Sequence, residues 1–249
     1  MVDLPRRSLL AGIAALGASA CSKITDSGAA QSLFDAAEDG HRTLHRALAG
    51  KQALVPEYSR AERSPTFRGN GTVTIADPFY QDQLAKGFSE WKLEVRGLVD
   101  NRLSLSMADV RALPQRTQIT RHDCVEGWSA IGEWQGPQLA ALLDAAKVRP
   151  EARFIIFRCA DVLYGRDYYE SIDMVDAYHP QTIIAHTLNA EPLPEKNGAP
   201  LRMRIERQLG YKHAKYVKAI EAVASFDDIG QGKGGFWEDV GNYQWYAGI

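Results

Sequence analysis

Cys124 stands in the run RHDCVEGWS, with Arg121, His122, Asp123 and Glu126 crowded around it. A thiol in such a setting has three readings. It can pack as a small buried hydrophobe. As the thiolate it can act as a nucleophile or bind a soft metal. The nearby cations favour a thiolate and the two carboxylates oppose it. Residue types alone leave all three open. His122, Cys124, Cys159, His179 and His186 offer zinc ligands, but none shows the C-x₂₋₄-C or H-x₃₋₅-H spacing of a closed site. A Cys–His hydrolase would need a third, orienting group, and no spacing marks one.

A second constellation is NGAPLRMRIERQLGYKHAKYVKAIE, residues 197–221. Asn197-Gly198 is a turn signal. Arg202 carries a planar fork that suits phosphate. Gly210 to Lys215 puts a glycine and two lysines in one short connection. Backbone N–H groups there can form an anion nest, with Lys212 and Lys215 supplying charge. The alternative is a solvated basic edge, and the spacing does not choose between them. The tail, 227–249, holds Phe236, Trp237, Tyr243, Trp245 and Tyr246 without a clear period. They read either as core filler or as the lining of a site mouth or docking face.

These residues need elements to position them. Leu33, Phe34, Ala37, Leu44 and Leu48 recur at helical spacing, with Gly50 placed to end the helix. Residues 51–90 read as a long irregular stretch. Trp91, Leu93 and Val95 alternate with charged residues, as a half-buried strand does. Ser106 to Asp109 is a capping-box start to a short helix that Pro114 ends. Thr117–Asp123 alternates as a strand that delivers Cys124 to a turn. Pro137 opens a helix through Leu139, Leu142 and Leu143. Phe154–Phe157 and Thr182–Thr187 read as buried strands, and Tyr216–Phe226 as a further one. Leu201, Met203 and Ile205 alternate with Arg202, Arg204 and Glu206, the pattern of a half-exposed strand. The expected fold is one α+β domain, strand-rich, with short helices at the connections.

The chain has 249 residues, 29 basic and 31 acidic. That balance argues against a nucleic-acid partner, which needs a basic face. Residues 1–20 have the form of a signal peptide: Arg6-Arg7, an apolar run from Leu9, and small residues before Cys21. The arginine pair before Ser8-Leu9-Leu10 matches a twin-arginine export signal. Ala18-Ser19-Ala20-Cys21 is close to a lipobox, which would make Cys21 a lipid anchor. The destination is periplasmic and oxidising, so a Cys124–Cys159 disulfide is a further option. The expected divisions are 1–20 signal peptide, 21–64 tether and N-terminal helix, and 65–249 functional domain. Residues 23–32 read as the tether.

CVEGWS, Trp134-x-Gly136, AYHPQT, NGAPLR and GYKHAK follow one another in that order. The series resembles the molybdopterin domain of the sulfite oxidase superfamily, over residues 65 to 225. Within it, the exported bacterial group that contains methionine sulfoxide reductases is the most similar. The resemblance implies one mononuclear molybdenum, held by a protein thiolate and by the dithiolene of one pterin. It implies that Cys124 is the metal ligand and that Glu126 is a carboxylate near the metal. Asn197 and Arg202 match pterin-binding positions, and Asn70 matches an asparagine that touches the pterin. Lys212, His213, Ala214 and Lys215 match the segment that holds the pterin phosphate. Cys159 stands where relatives carry a pterin-contacting threonine, so it and Cys124 are expected to do different work and to stay unbonded. The resemblance implies sulfoxide reduction of a small-molecule substrate, with sulfite-type oxidation as the alternative. It also implies a monomer, because the chain stops short of the immunoglobulin-like domain of animal and plant relatives. No Cys-x-x-Cys-His haem motif occurs. An external electron carrier, such as a membrane haem protein, is therefore expected. The rival reading from another class is a non-catalytic lipoprotein that binds an anion in the 202–215 nest.

Export should depend on the arginine pair. Changing Arg6 and Arg7 together to Lys should leave folded protein in the cytoplasm, as cell fractionation would show. Normal export of that variant would mean a general secretion signal.

Overall fold

The computed structural model describes residues 27–50 and 52–249. The expected signal peptide, Cys21 and the first part of the tether lie outside the described residues. The chain divides into two units after Gly50. In the first, helix α1 spans Gly28–Ala49. It starts earlier than its apolar spacing suggests, because the Ser27 hydroxyl accepts from the Ala30 N–H and caps it. Residues 28–32, expected as tether, are its first turns. Gly50, at φ 76°, ends it, as its left-handed backbone favours glycine. Among the described residues, no helix is long and apolar enough to cross a membrane.

In the second unit, two sheets carry the site between them. One has the order β2-β1-β11-β5-β6. Its strands are β1 Lys92–Gly97, β2 Leu103–Ser106, β5 Phe154–Leu163, β6 Arg166–Asp173 and β11 Val217–Val223. Strands β1 and β11 run parallel and the other pairs antiparallel. Leu93, Val95, Ile155, Phe157 and Ile220 line its inner face and are buried. Helices α3 Met107–Ala112, α4 Leu139–Ala146 and α5 Met174–Ala177 share their core, Leu139, Leu142 and Leu143 being wholly buried. The capping box of α3 forms as its sequence predicts, Ser106 and Asp109 exchanging bonds. Pro137 closes a strand, however, and the N-cap of α4 is Gln138.

The other sheet has the order β3-β4-β8-β9, with β3 Gln115–Cys124, β4 Trp128–Pro137, β8 Thr187–Leu188 and β9 Glu191–Pro192. Beside it lies a two-stranded ribbon of β7 Ile183–Ala185 and β10 Arg202–Arg204. The Trp134-x-Gly136 pair explains how the two meet. A Cβ on Gly136 would run into the backbone of Ile184 and Ala185. Only a residue without one lets β7 lie this close to β4. Trp134 is wholly buried, and its ring packs with Phe67 edge to face.

Three expectations need correction. Residues 52–90 are not simply irregular. Helix α2, Pro78–Ala85, is capped by Asp77 and opened by Pro78 at its first position. Segment 52–64 also belongs to this unit rather than to a tether. The Tyr58 N–H donates to Ile119 O at 2.9 Å and the Ser64 N–H to Ile131 O at 3.0 Å. The alternating strand around Arg202 is buried on both faces, β10 having no exposed residue. Neither Arg202 nor Arg204 is a solvated edge.

Gly136→Ala should cost about 3 kcal/mol or more through overpacking against β7. For a unit this size that lowers Tm by roughly 6–12 °C. A melt within about 2 °C of wild type would refute the close backbone approach.

Candidate active site

The thiol is positioned by a hairpin. Cys124 ends β3 and pairs across to Trp128, the first residue of β4. Val125, Glu126 and Gly127 make the loop, closed by the Gly127 N–H donating to Cys124 O at 3.0 Å. Gly127 has φ +83°, the left-handed last position that three-residue hairpin loops place on glycine. Cys124 is thus held at a tip, 7% exposed. Burial pushes its thiol pKa up; the Glu126 N–H and the charge of Arg202 act against that rise. Glu126 is exposed, and the Trp128 indole N–H donates to its Oε2 at 3.0 Å.

Cys124 lines a cleft of about 110 Å³. Its polar lining comprises Asn70, Gly71 and Thr72 from the segment before α2, Asp161 from β5, and His213 and Lys215. Lys215 is 8% exposed, and its ammonium donates to the carbonyls of Asn70, Thr72 and Lys196. Burial and then the charge of Arg202 pull its pKa down to about 7, and Asp161 pushes it up. Burial raises the Asp161 carboxyl to about 6. The His213 Nε2 meets the carbonyls of Ile205 and Gln208 at 2.9 and 3.0 Å. Two acceptors there place the proton on Nε2 and leave Nδ1 as an acceptor without a partner. Its apolar and aromatic lining comprises Val125, Leu163, Tyr168, Tyr211, Trp237 and Tyr243.

Behind the cleft lie two wholly buried arginines in different states. Arg204 is satisfied: its fork meets Glu206 at 2.9 and 2.7 Å, and its Nη1 donates to His122 Nδ1 at 2.9 Å. Arg202 donates only from Nη1, to Asn197 O at 3.2 Å. Its Nε and Nη2 have no partner, nor has the Oδ1 of Asn197 beside it. Both guanidinium groups lie over the Trp134 ring, at 5.4 Å for Arg202 and 4.4 Å for Arg204. Burial lowers the Arg202 pKa to about 9, which keeps it charged at neutral pH. A buried cation with idle donors is costly. It is the mark of a site built for a group that brings its own acceptors.

The residues named from the sequence therefore fall into groups. Asn70, Cys124, Glu126, His213 and Lys215 line the cleft, and Arg202 and Asn197 lie behind it. Ala214 contributes backbone, its carbonyl accepting from the Met203 N–H at 2.8 Å. Cys159 is a free thiol, as is Cys124, so the two are not bonded. It is 1% exposed, pairs with Val217 across β5 and β11, and does not line the cleft. Lys212 does not face the cleft either. Its ammonium lies 2.5 Å from both Glu170 and Glu238, all three buried. A phosphate would have to displace two carboxylates to reach it. The candidate zinc ligands do not converge: His179 bonds Ala53 O and His186 bonds Gln115 Oε1. Among the described residues no three His, Cys, Asp or Glu side chains gather to hold a metal. Asp161, Trp237 and Tyr243 were not singled out as site residues. The aromatic tail was the only signal for the last two.

The donor set fits a molybdopterin group. A single thiolate suits a soft metal whose other ligands come with the cofactor. Arg202 and Lys215 would hold its anionic portion, and Asn70, Asn197 and His213 have acceptors for its N–H groups.

Arg202→Met makes this testable without activity. In cofactor-free protein it removes a buried, under-bonded charge, so stability should be unchanged or higher by up to about 2 kcal/mol. Urea unfolding measures this. A loss above about 2 kcal/mol would assign Arg202 a structural role.

Comparison with known proteins agrees with this geometry. The model of the oxidoreductase molybdopterin binding domain matches residues 81–228. A chain of Azospira oryzae, named as a candidate protein-methionine-sulfoxide reductase subunit, YedZ1, is 34% identical over 98% of this chain and 86% of its own. The protein-methionine-sulfoxide reductase catalytic subunit MsrP of Campylobacter jejuni is 33% identical over 55% of this chain and 51% of its own. The sulfane dehydrogenase SoxCD of Paracoccus pantotrophus shares the fold at a TM-score of 0.50 and 21% identity, over 55% of this chain and 39% of that one. With the family model matched across residues 81–228 and the Azospira oryzae chain similar along nearly its whole length, the chain belongs to the oxidoreductase molybdopterin binding domain family and is a molybdenum-dependent oxidoreductase.

Proposed function

We propose that this enzyme reduces a sulfoxide to the sulfide, in the periplasm, as a monomer fed by a separate membrane haem protein. The observation that carries the reading is the cleft at Cys124, whose lining combines cationic and polar groups with aromatic rings. The names of the two similar reductases support it. The molybdopterin group, when bound, supplies two-electron oxygen-atom chemistry. The chain supplies the rest. Cys124 anchors and tunes the metal through its thiolate. Arg202 and Lys215 hold the cofactor's anionic part away from water. Sulfoxide, two electrons and two protons give sulfide and water. Glu126, oriented by Trp128 at the exposed end of the hairpin, is the carboxylate placed to pass a proton inward. Arg6-Arg7 and the apolar run after them support export, and Cys21 supports a lipid tether.

The test uses protein made in a host that synthesises molybdopterin. We expect one molybdenum per chain, and oxidation of a reduced viologen when methionine sulfoxide is added. Cys124→Ser should abolish turnover, because a hydroxyl is a harder ligand than a thiolate. Cys159→Thr should leave turnover within about twofold, being a near-isosteric swap outside the cleft. Dye reduction by sulfite, with no oxidation by sulfoxide, would reverse the direction of the reaction. Absence of molybdenum would leave only an anion-binding protein.

A further inference from the structure

The segment after residue 228 lies beyond the family match, yet it contributes two aromatic rings to the lining of the cleft. Helix α6, Phe236–Gly241, carries Trp237, and Tyr243 follows it. Their rings stack at 5.7 Å with 23° between planes, and Tyr243 also meets Tyr211 edge to face at 5.0 Å. Phe236 and Tyr246 are buried core residues, whereas Trp237 and Tyr243 are half-buried and face the cleft. The tail thus divides between filler and lining.

The wall is held by a buried charge cluster. Glu238, the residue after Trp237, is 1% exposed and lies 2.5 Å from the Lys212 ammonium, which Glu170 of β6 also holds. Gly235 leaves the room: a Cβ there would strike the carboxylates of both Glu170 and Glu238. Around this cluster, Trp245 donates to the Ser171 hydroxyl at 2.8 Å and Tyr211 donates to Gln244 O at 2.6 Å. Breaking a buried ion pair leaves a charge uncompensated, so the register of α6 on β6 is strongly specified. A one-residue slip would carry Trp237 off the cleft.

We propose that Trp237 and Tyr243 are the specificity-determining wall for the organic side of a sulfoxide substrate, and that Lys212 positions that wall through Glu238. The inference rests on the sulfoxide reading and names the substrate's recognition. A sulfoxide presents an oxygen to the polar, metal-bearing side and a soft, apolar thioether chain to the other. Sulfur and alkyl groups pack favourably on aromatic faces and edges. Two stacked rings beside Val125 and Leu163 provide such a surface. Lys212 thereby has a task other than holding phosphate, and the position matched to the pterin segment serves the opposite wall.

The experiment measures steady-state kinetics of the molybdenum-loaded enzyme with reduced viologen and a methionine-sulfoxide tripeptide. Trp237→Ala and Tyr243→Ala should each raise KM about tenfold, leaving kcat within about twofold. Molybdenum per chain should not change. Trp237→Phe should restore KM to within about threefold. Glu238→Gln keeps the shape and an acceptor for Lys212, so it should fold, and it should raise KM in the same direction by less. No turnover by the wild type would sink the sulfoxide reading and this inference together. Wild-type turnover with unchanged KM in both alanine variants overturns the wall alone. Loss of pterin in Glu238→Gln with KM unchanged would return Lys212 to the cofactor.

Discussion

The site depends on a guanidinium that the protein buries and leaves under-bonded. Arg202 is wholly buried, with one hydrogen bond and two idle nitrogens. The surroundings make this tolerable. Trp134 lies beneath it and beneath Arg204, a platform of negative ring face. Gly136 lets β7 approach β4, and β10 pairs with β7 to set Arg202 in place. Glu206 and His122 saturate Arg204, so that only its neighbour remains available. The motif that reads as two isolated letters, Trp and Gly, is the mechanical support of a charge two strands away.

The cleft draws on both ends of the second unit. Its polar lining comes largely from the segment before α2 and from residues 213–215; its aromatic lining joins Trp237 and Tyr243 of the tail to Tyr168 and Tyr211. The middle of the chain contributes the hairpin tip and the carboxylate of Asp161. Two buried lysines close together in sequence serve different walls. Lys215 ties down the loop at residues 70–72, and Lys212 ties down α6. Lys212 closes the 3₁₀ turn Gly210–Lys212, whereas Lys215 lies three residues beyond it, just before β11.

Much of this is legible in the residues themselves. The alternation through Thr117–Asp123 delivers Cys124 to a turn because side chains of a strand alternate with period two, and Gly127 marks the turn's left-handed position. Arg202 was singled out by type, but its burial was not visible. A strand alternating Arg with Leu and Met looks half-exposed until Trp134, 68 residues earlier, covers the charged face. The role of Lys212 was hidden for the same reason: its partners, 42 and 26 residues distant, carry no local signal. Asp77-Pro78 is a sound start signal for helix α2, but the surrounding Pro, Gly and charge mask an eight-residue helix in the sequence. Pattern reports local geometry; ion pairs closed by topology leave no trace in it.

The Lys215 ammonium reaches back to the carbonyls of Asn70 and Thr72, 145 and 143 residues earlier in the chain. Closing so long a loop costs chain entropy before any contact offsets it, and such pairings form slowly. The cleft therefore takes shape only when the two ends of this span have come together. A group that binds both Lys215 and the facing loop acts as a reversible crosslink across that span. By mass action, occupancy at a thousand times Kd adds about 4 kcal/mol to the folded state. The cofactor is in that sense also a fastener, and amide exchange around Thr72 should slow with the global rate once it is in place.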